Sequence, residues 1–125
     1  MKSEQILIFL TFLIIKHFIC DFVLQTSYQY LNKHKYGHPG GLLHATIHGF
    51  GTFCVFVWWS APIAIVITFV DSIVHYHIDW AKAYLTRYIS CNATMGRFWI
   101  LFGIDQLLHY LTYIGIIAVL LTDIF

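Results

Sequence analysis

Each apolar segment of this chain carries aspartate or histidine at four-residue spacing: His17/Asp21, His44/His48, Asp71/His75/Asp79 and Asp105/His109. On an α-helix, residues i and i+4 stand one above the other on the same face, so each segment would present a two-pronged polar edge. Helices surrounded by lipid have to turn such edges towards one another. Four inward edges could enclose metal ions.

The surroundings are set by composition. Of the 125 residues, 59% are hydrophobic and only 10% charged, with a mean hydropathy of +0.73; a soluble domain has about a quarter charged. About 20 apolar residues cross the hydrocarbon layer as a helix, and four such segments can be placed, at about 4–28, 42–60, 62–86 and 97–122. The expected fold class is therefore all-α: a four-helix transmembrane bundle, antiparallel and up-down, forming one integral membrane domain over 1–125. The formal net charge of +1 argues against a nucleic-acid partner, which needs a concentrated basic surface. Cys20, Cys54 and Cys91 are odd in number and lack metal-site spacing, so they read as free thiols. The run Ile6 to Ile15 after Lys2 resembles a signal peptide, yet no small-residue cleavage site follows it, and Lys16, His17 and Asp21 continue the same helix.

Polar stretches separate the segments. Gly37, Pro39, Gly40 and Gly41 are expected to break any helix between the first and second segments. Ser60-Ala61-Pro62 suits a tight turn with proline at a helix start, making the second and third segments a hairpin. Successive segments run in opposite directions, which places all the polar pairs in one half of the membrane, beside the 29–41 and 87–96 loops. Lys33, Lys35, Lys82, Arg87 and Arg97 lie at that same end, whereas Lys2, Glu4 and Asp123 lie at the other. The positive-inside tendency then puts the loops in the cytoplasm and both termini outside.

An ionised aspartate at mid-bilayer costs roughly 2.5–3.5 kcal/mol on insertion scales, so Asp21, Asp71, Asp79 and Asp105 call for compensation. Divalent metal supplies it, because neutral imidazole and carboxylate are ligands for zinc, iron and manganese. Eight donors (His17, Asp21, His44, His48, His75, Asp79, Asp105 and His109) suit one or two ions per chain, and Asp79 or Asp105 could instead serve as general base. Around them, Gln25, Lys82 and Gln106 are candidates to touch substrate or water. Asp71, one turn before His75, could be a ligand, a partner that orients the imidazole, or an interhelical acceptor. Lys82 could also simply snorkel, and Lys16 could pair with a carboxylate of another helix. His34, His38 and His77 are assigned to the background. Gly49 and Gly51 would permit close helix approach.

Blander readings stand beside this one. Polar residues in lipid also hold helices together through hydrogen bonds, but such glue needs neither a shared depth nor repeated i,i+4 spacing. Axial histidines for haem would leave the carboxylates unexplained.

The runs His17-Phe18-Ile19-Cys20-Asp21-Phe22-Val23-Leu24-Gln25-Thr26, His44-Ala45-Thr46-Ile47-His48-Gly49, His75-Tyr76-His77-Ile78-Asp79-Trp80-Ala81-Lys82 and Asp105-Gln106-Leu107-Leu108-His109 together resemble a domain-of-unknown-function family of small bacterial and phage membrane proteins. The resemblance covers about residues 13–115. It implies the same fold and the same choice of residues, allows a virus-encoded copy, and names no reaction. More distantly, the arrangement is similar to membrane-bound metal-dependent hydrolases.

The expected function is a metal-dependent hydrolase acting on a lipid or lipid-linked phosphate or ester near the cytoplasmic face. Alternatives are a non-haem di-iron enzyme oxidising acyl chains, a metal-ion or proton pathway, and a non-enzymatic phage or bacterial membrane partner. The lipid bilayer is the expected partner, with homo-oligomers allowed by the large lipid-facing surface.

Overall fold

A computed structural model describes residues 3–122 and is helical, with no strand among the described residues. The helices are α1 (Ser3–Phe18), continued by a π-helical turn (Ile19–Val23), α2 (Ser27–Asn32), α3 (Pro39–Phe56), α4 (Ala61–Tyr88) and α5 (Gly96–Leu120). Among the described residues three spans are long and apolar enough to cross a membrane, Ser3–Val23, Ala61–Tyr88 and Gly96–Leu120, as befits a membrane protein. The expected fourth, α3, is not among them. Its 18 residues include two histidines and four glycines, which lower its hydropathy. Lys2 and Asp123, used above to weigh orientation, lie outside the described residues.

Two boundaries differ from expectation, each for a local reason. The first segment does not run unbroken to residue 28. It widens into a π turn, closed by Leu24 N–H donating to Ile19 O at 2.9 Å, and the chain restarts at Ser27. Thr26 caps α2 with a reciprocal box in which the Gln29 side chain accepts from Thr26 N–H at 2.9 Å. The second segment does not begin after the Pro-Gly-Gly run but within it. Pro39 occupies the first helical turn, where its missing N–H costs nothing, and His38 Nδ1 accepts from Gly40 N–H at 3.0 Å. Gly37, at φ 76°, provides the left-handed turn that delivers the chain to this cap.

The four long helices close a cycle: α1 packs on α3 and α5, α4 packs on α3 and α5, and the α3–α4 pair is the most extensive. Gly49 explains that closeness, since a Cβ there would collide with the Ser72 side chain and press on Thr68 O of α4. The short α2 lies against α3.

Polarity divides the interior along its length. One end, built from the start of α1, the end of α3, the start of α4 and the end of α5, is apolar, with Phe9, Leu13, Phe56, Ala64, Ile67, Ile116, Ile117 and Leu120 buried together. The other end buries histidines and aspartates. Outward faces show the reverse, with Leu7, Phe12, Phe50, Phe69, Ile100 and Leu107 exposed. A polar interior inside an apolar exterior is the arrangement a lipid solvent favours.

Candidate metal centre

His17, His44, His48, His75 and His109 are each no more than 1% exposed, and Asp21, Asp79 and Asp105 are buried with them. All eight donors read from the sequence meet in one place. His48 stacks on His75 with ring centroids 3.6 Å apart, and His75 on His109 at 4.1 Å. His44 lies 4.6 Å from His48, and His17 4.8 Å from His109.

The carboxylates thread this stack. Asp21 Oδ1 is 3.0 Å from His44 Nε2 and 3.1 Å from His48 Nε2, while its Oδ2 is 3.2 Å from His17 Nε2. Asp21 reaches three imidazoles, one on α1 and two on α3, from within the π turn, a distortion that recurs at functional sites. Asp79 Oδ2 lies 3.2 Å from both His44 Nε2 and His75 Nε2, and its Oδ1 3.5 Å from His109 Nε2. Asp105 Oδ1 is 3.6 Å from His109 Nε2.

Most of these approaches are not hydrogen bonds. Both ring nitrogens of His44 and of His75, Nδ1 of His48, Nε2 of His109 and Asp105 Oδ1 are buried without a hydrogen-bond partner, and Asp79 Oδ2 has the Lys33 ammonium 2.8 Å away. An unsatisfied buried polar group costs about 1–3 kcal/mol, so a cluster of them needs a reason. Coordination geometry supplies one: two donors each 2.0–2.1 Å from a single ion stand about 2.9–3.4 Å apart at tetrahedral or octahedral angles. The separations around Asp21 and Asp79 fall in or close to that interval. Among the described residues three donor sets are compact enough to hold an ion: Asp21/His44/His48/His75, His17/His75/His109 and Asp79/Asp105/His109.

His17 differs from the other imidazoles. Its Nδ1 is 2.9 Å from Tyr113 Oη and its Nε2 is 3.1 Å from Gln106 Oε1. Both nitrogens therefore have partners, so His17 is the least free of the five to offer a lone pair. Gln106 also donates to Asp105 Oδ2 at 3.1 Å, tying α1 to the α5 carboxylate. Gln25 donates to the Asp21 carbonyl at 2.7 Å, and this bond satisfies a backbone oxygen where the helix ends.

Asp71 stands apart from the donor sets. Its Oδ2 receives Lys16 Nζ at 2.7 Å and Thr52 Oγ1 at 2.6 Å, and Lys16 also donates to the His48 carbonyl at 3.1 Å. Of the roles open to Asp71, the interhelical acceptor is the one observed, and Lys16 finds its carboxylate on another helix. His77 stays at the surface, bonded to the Ile73 carbonyl.

Sequence reasoning missed two residues. Lys33, counted only as a loop cation, puts Nζ 2.8 Å from Asp79 Oδ2. Tyr113, 1% exposed, anchors His17 from one turn past His109. Its four-residue spacing from His109 was the available signal, hidden because tyrosine reads as packing.

The carboxylates Asp21, Asp79 and Asp105 also line a cleft of about 780 Å³ that runs towards the 87–96 loop. Lys33, Lys82 and Arg87 give it a basic wall, and Phe98, Trp99 and Phe102 an aromatic one. The cleft thus reaches the polar cluster from this end, and among the described residues an apolar core lies at the other.

No curated protein and no solved structure matches the chain. The profile of the family described as protein of unknown function DUF3307 matches residues 9–124, so the chain belongs to that family.

Proposed function

We propose that the protein is a four-helix transmembrane bundle holding one or two divalent ions, with zinc, iron or manganese as candidates, and that it hydrolyses a lipid or lipid-linked phosphate or ester. The observation that carries this reading is the convergence of buried, largely partnerless imidazole nitrogens with carboxylates at ligand spacing, the carboxylates lining the floor of an amphipathic cleft. Asp21, His44 and His48 form one candidate ligand set and Asp79 with His109 a second, with His75 stacked between them and Asp105 beside His109.

The bound metal would supply Lewis acidity and lower the pKa of water. Asp105 is the better placed general base, since its Oδ1 lacks a hydrogen-bond partner and it lines the cleft, whereas Asp79 is hemmed in by Lys33, His44, His75 and His109. In such a hydrolysis the water oxygen bonds to phosphorus or carbonyl carbon, and the bond to the leaving oxygen breaks. The water's proton rests on Asp105 and then passes to the leaving oxygen. Gln106 holds the other oxygen of Asp105 in place for this. The positive-inside tendency of the basic residues around the cleft supports a cytoplasmic position for it, with both termini outside.

The apolar core beneath the cluster favours this reading over an ion pathway, which would need polar groups across the whole depth. The test is hydrolysis in proteoliposomes, using a panel of lipid phosphates and esters. Release of product is expected to fall about 100-fold or more after chelation and to return with one of the three metals. His44→Ala/His48→Ala protein should be inactive and beyond rescue. Turnover indifferent to chelator, or no turnover across the panel with metal bound, would contradict the proposal.

A further inference from the structure

The cleft itself narrows the substrate class, and the following rests on the hydrolase reading. Lys33 is committed to Asp79. Lys82, one turn beyond Asp79 on α4, has no carboxylate within 4 Å among the described residues; its Nζ rests 5.3 Å from the Phe102 ring and 5.8 Å from the Phe98 ring. Arg87, further along the same helix, donates from Nη1 to His34 Nε2 at 3.2 Å and likewise has no carboxylate partner among the described residues. Partial desolvation and the adjacent Arg87 and Lys35 charges hold the His34 pKa below the ordinary histidine value, which keeps it an acceptor for Arg87. A guanidinium with one of its five N–H groups engaged retains a fork for an anion.

Both cations line the same cleft as Phe98, Trp99 and Phe102. A neutral ester would gain nothing from two unpaired cations, and an inorganic anion would gain nothing from three aromatic rings. We propose that Lys82 and Arg87 form a headgroup clamp, so that the cleft selects a single-chain or lipid-linked amphiphile bearing a phosphate-type anion, its chain lying along the aromatic wall of α5. Positive charge beside the entrance also offsets the three carboxylates on the floor, which would otherwise repel such a headgroup.

Binding can be read without turnover. A terminally brominated undecyl phosphonate, whose carbon–phosphorus bond resists hydrolysis, should quench the fluorescence of Trp99 in metal-loaded protein in detergent. The signal should disappear in Trp99→Phe protein. The phosphonate is expected to bind about tenfold or more tightly than the equally brominated undecanol, and Lys82→Gln/Arg87→Gln should erase that preference while leaving the alcohol unaffected. Inorganic phosphate at matching concentration should not compete. Equal affinity for the phosphonate and the alcohol, a preference that survives the double substitution, or full competition by inorganic phosphate would each overturn the clamp. Phosphonate selectivity in a protein that hydrolyses nothing would preserve the clamp and remove the hydrolase. Chelator-sensitive hydrolysis without that selectivity would do the opposite.

Discussion

Asp21→Asn protein, purified in detergent, is expected to lose metal affinity by about 100-fold or more. Asp21 has three imidazoles, His17, His44 and His48, within 3.2 Å, whereas Asp79 has two at that distance and His109 at 3.5 Å. Amidation leaves the volume unchanged but removes the negative charge and replaces one acceptor oxygen with an N–H₂ group. Even altering groups behind the ligands of a metal centre commonly costs 10- to 100-fold in affinity, so removing a ligand charge should cost at least as much. The fold should survive, because Asp21 lies at the polar end while the apolar core is elsewhere. Titration of apo protein with zinc, iron(II) and manganese provides the measurement. Wild-type affinity in Asp21→Asn would remove Asp21 from the centre.

The second large effect concerns stability. Lys16 and Asp71 form an ion pair at 2.7 Å with side-chain exposures of 8% and 1%, so neither charge has water to fall back on. Replacing Lys16 with Met leaves Asp71 with Thr52, and replacing Asp71 with Leu leaves Lys16 with the His48 carbonyl and the face of the Tyr113 ring, neither a counter-charge. Breaking one half of such a pair costs about 3–5 kcal/mol, several times what a neutral interhelical hydrogen bond contributes in a membrane protein. Each single substitution should therefore lower the midpoint of unfolding in mixed micelles steeply. Lys16→Met/Asp71→Leu should recover most of the loss, since it removes both charges together. A double variant as unstable as the sum of the singles would show that the two residues do not act as a pair. Metal content is expected to fall in Lys16→Met as well, because Lys16 also fastens α1 to the carbonyl of His48.

The site was more legible in the sequence than the chain path that builds it. Asp and His have no reason to recur at i,i+4 within apolar helices unless those faces meet, and eight of the nine residues read in this way converge, Asp71 being the exception. Depth was legible too: opposite helix directions put each pair near the same loops, and the observed interior is polar at that end and apolar at the other. What escaped depends on backbone detail or on distance along the chain. The π turn at Ile19–Val23 adds a residue to one turn without any proline or glycine to announce it. Pro39, Gly40 and Gly41 look like helix breakers until His38 is seen accepting from Gly40. Lys33 approaches Asp79 from 46 positions away through the fold of α2 onto α3, a route that no local pattern encodes. Asp71 fitted the four-residue rhythm of His75 and Asp79, yet Lys16 and Thr52 claim it. One turn along α4 separates an ion-pair layer from the donor cluster.

Elemental analysis of detergent-purified wild-type protein, set beside His44→Ala/His48→Ala protein prepared identically, bears most directly on the centre itself. One or two equivalents of zinc, iron or manganese per chain are expected in the wild type, falling below about a tenth of that in the double variant. Equal and substoichiometric metal in two preparations that are both folded would mean that the buried imidazoles and carboxylates serve helix packing alone.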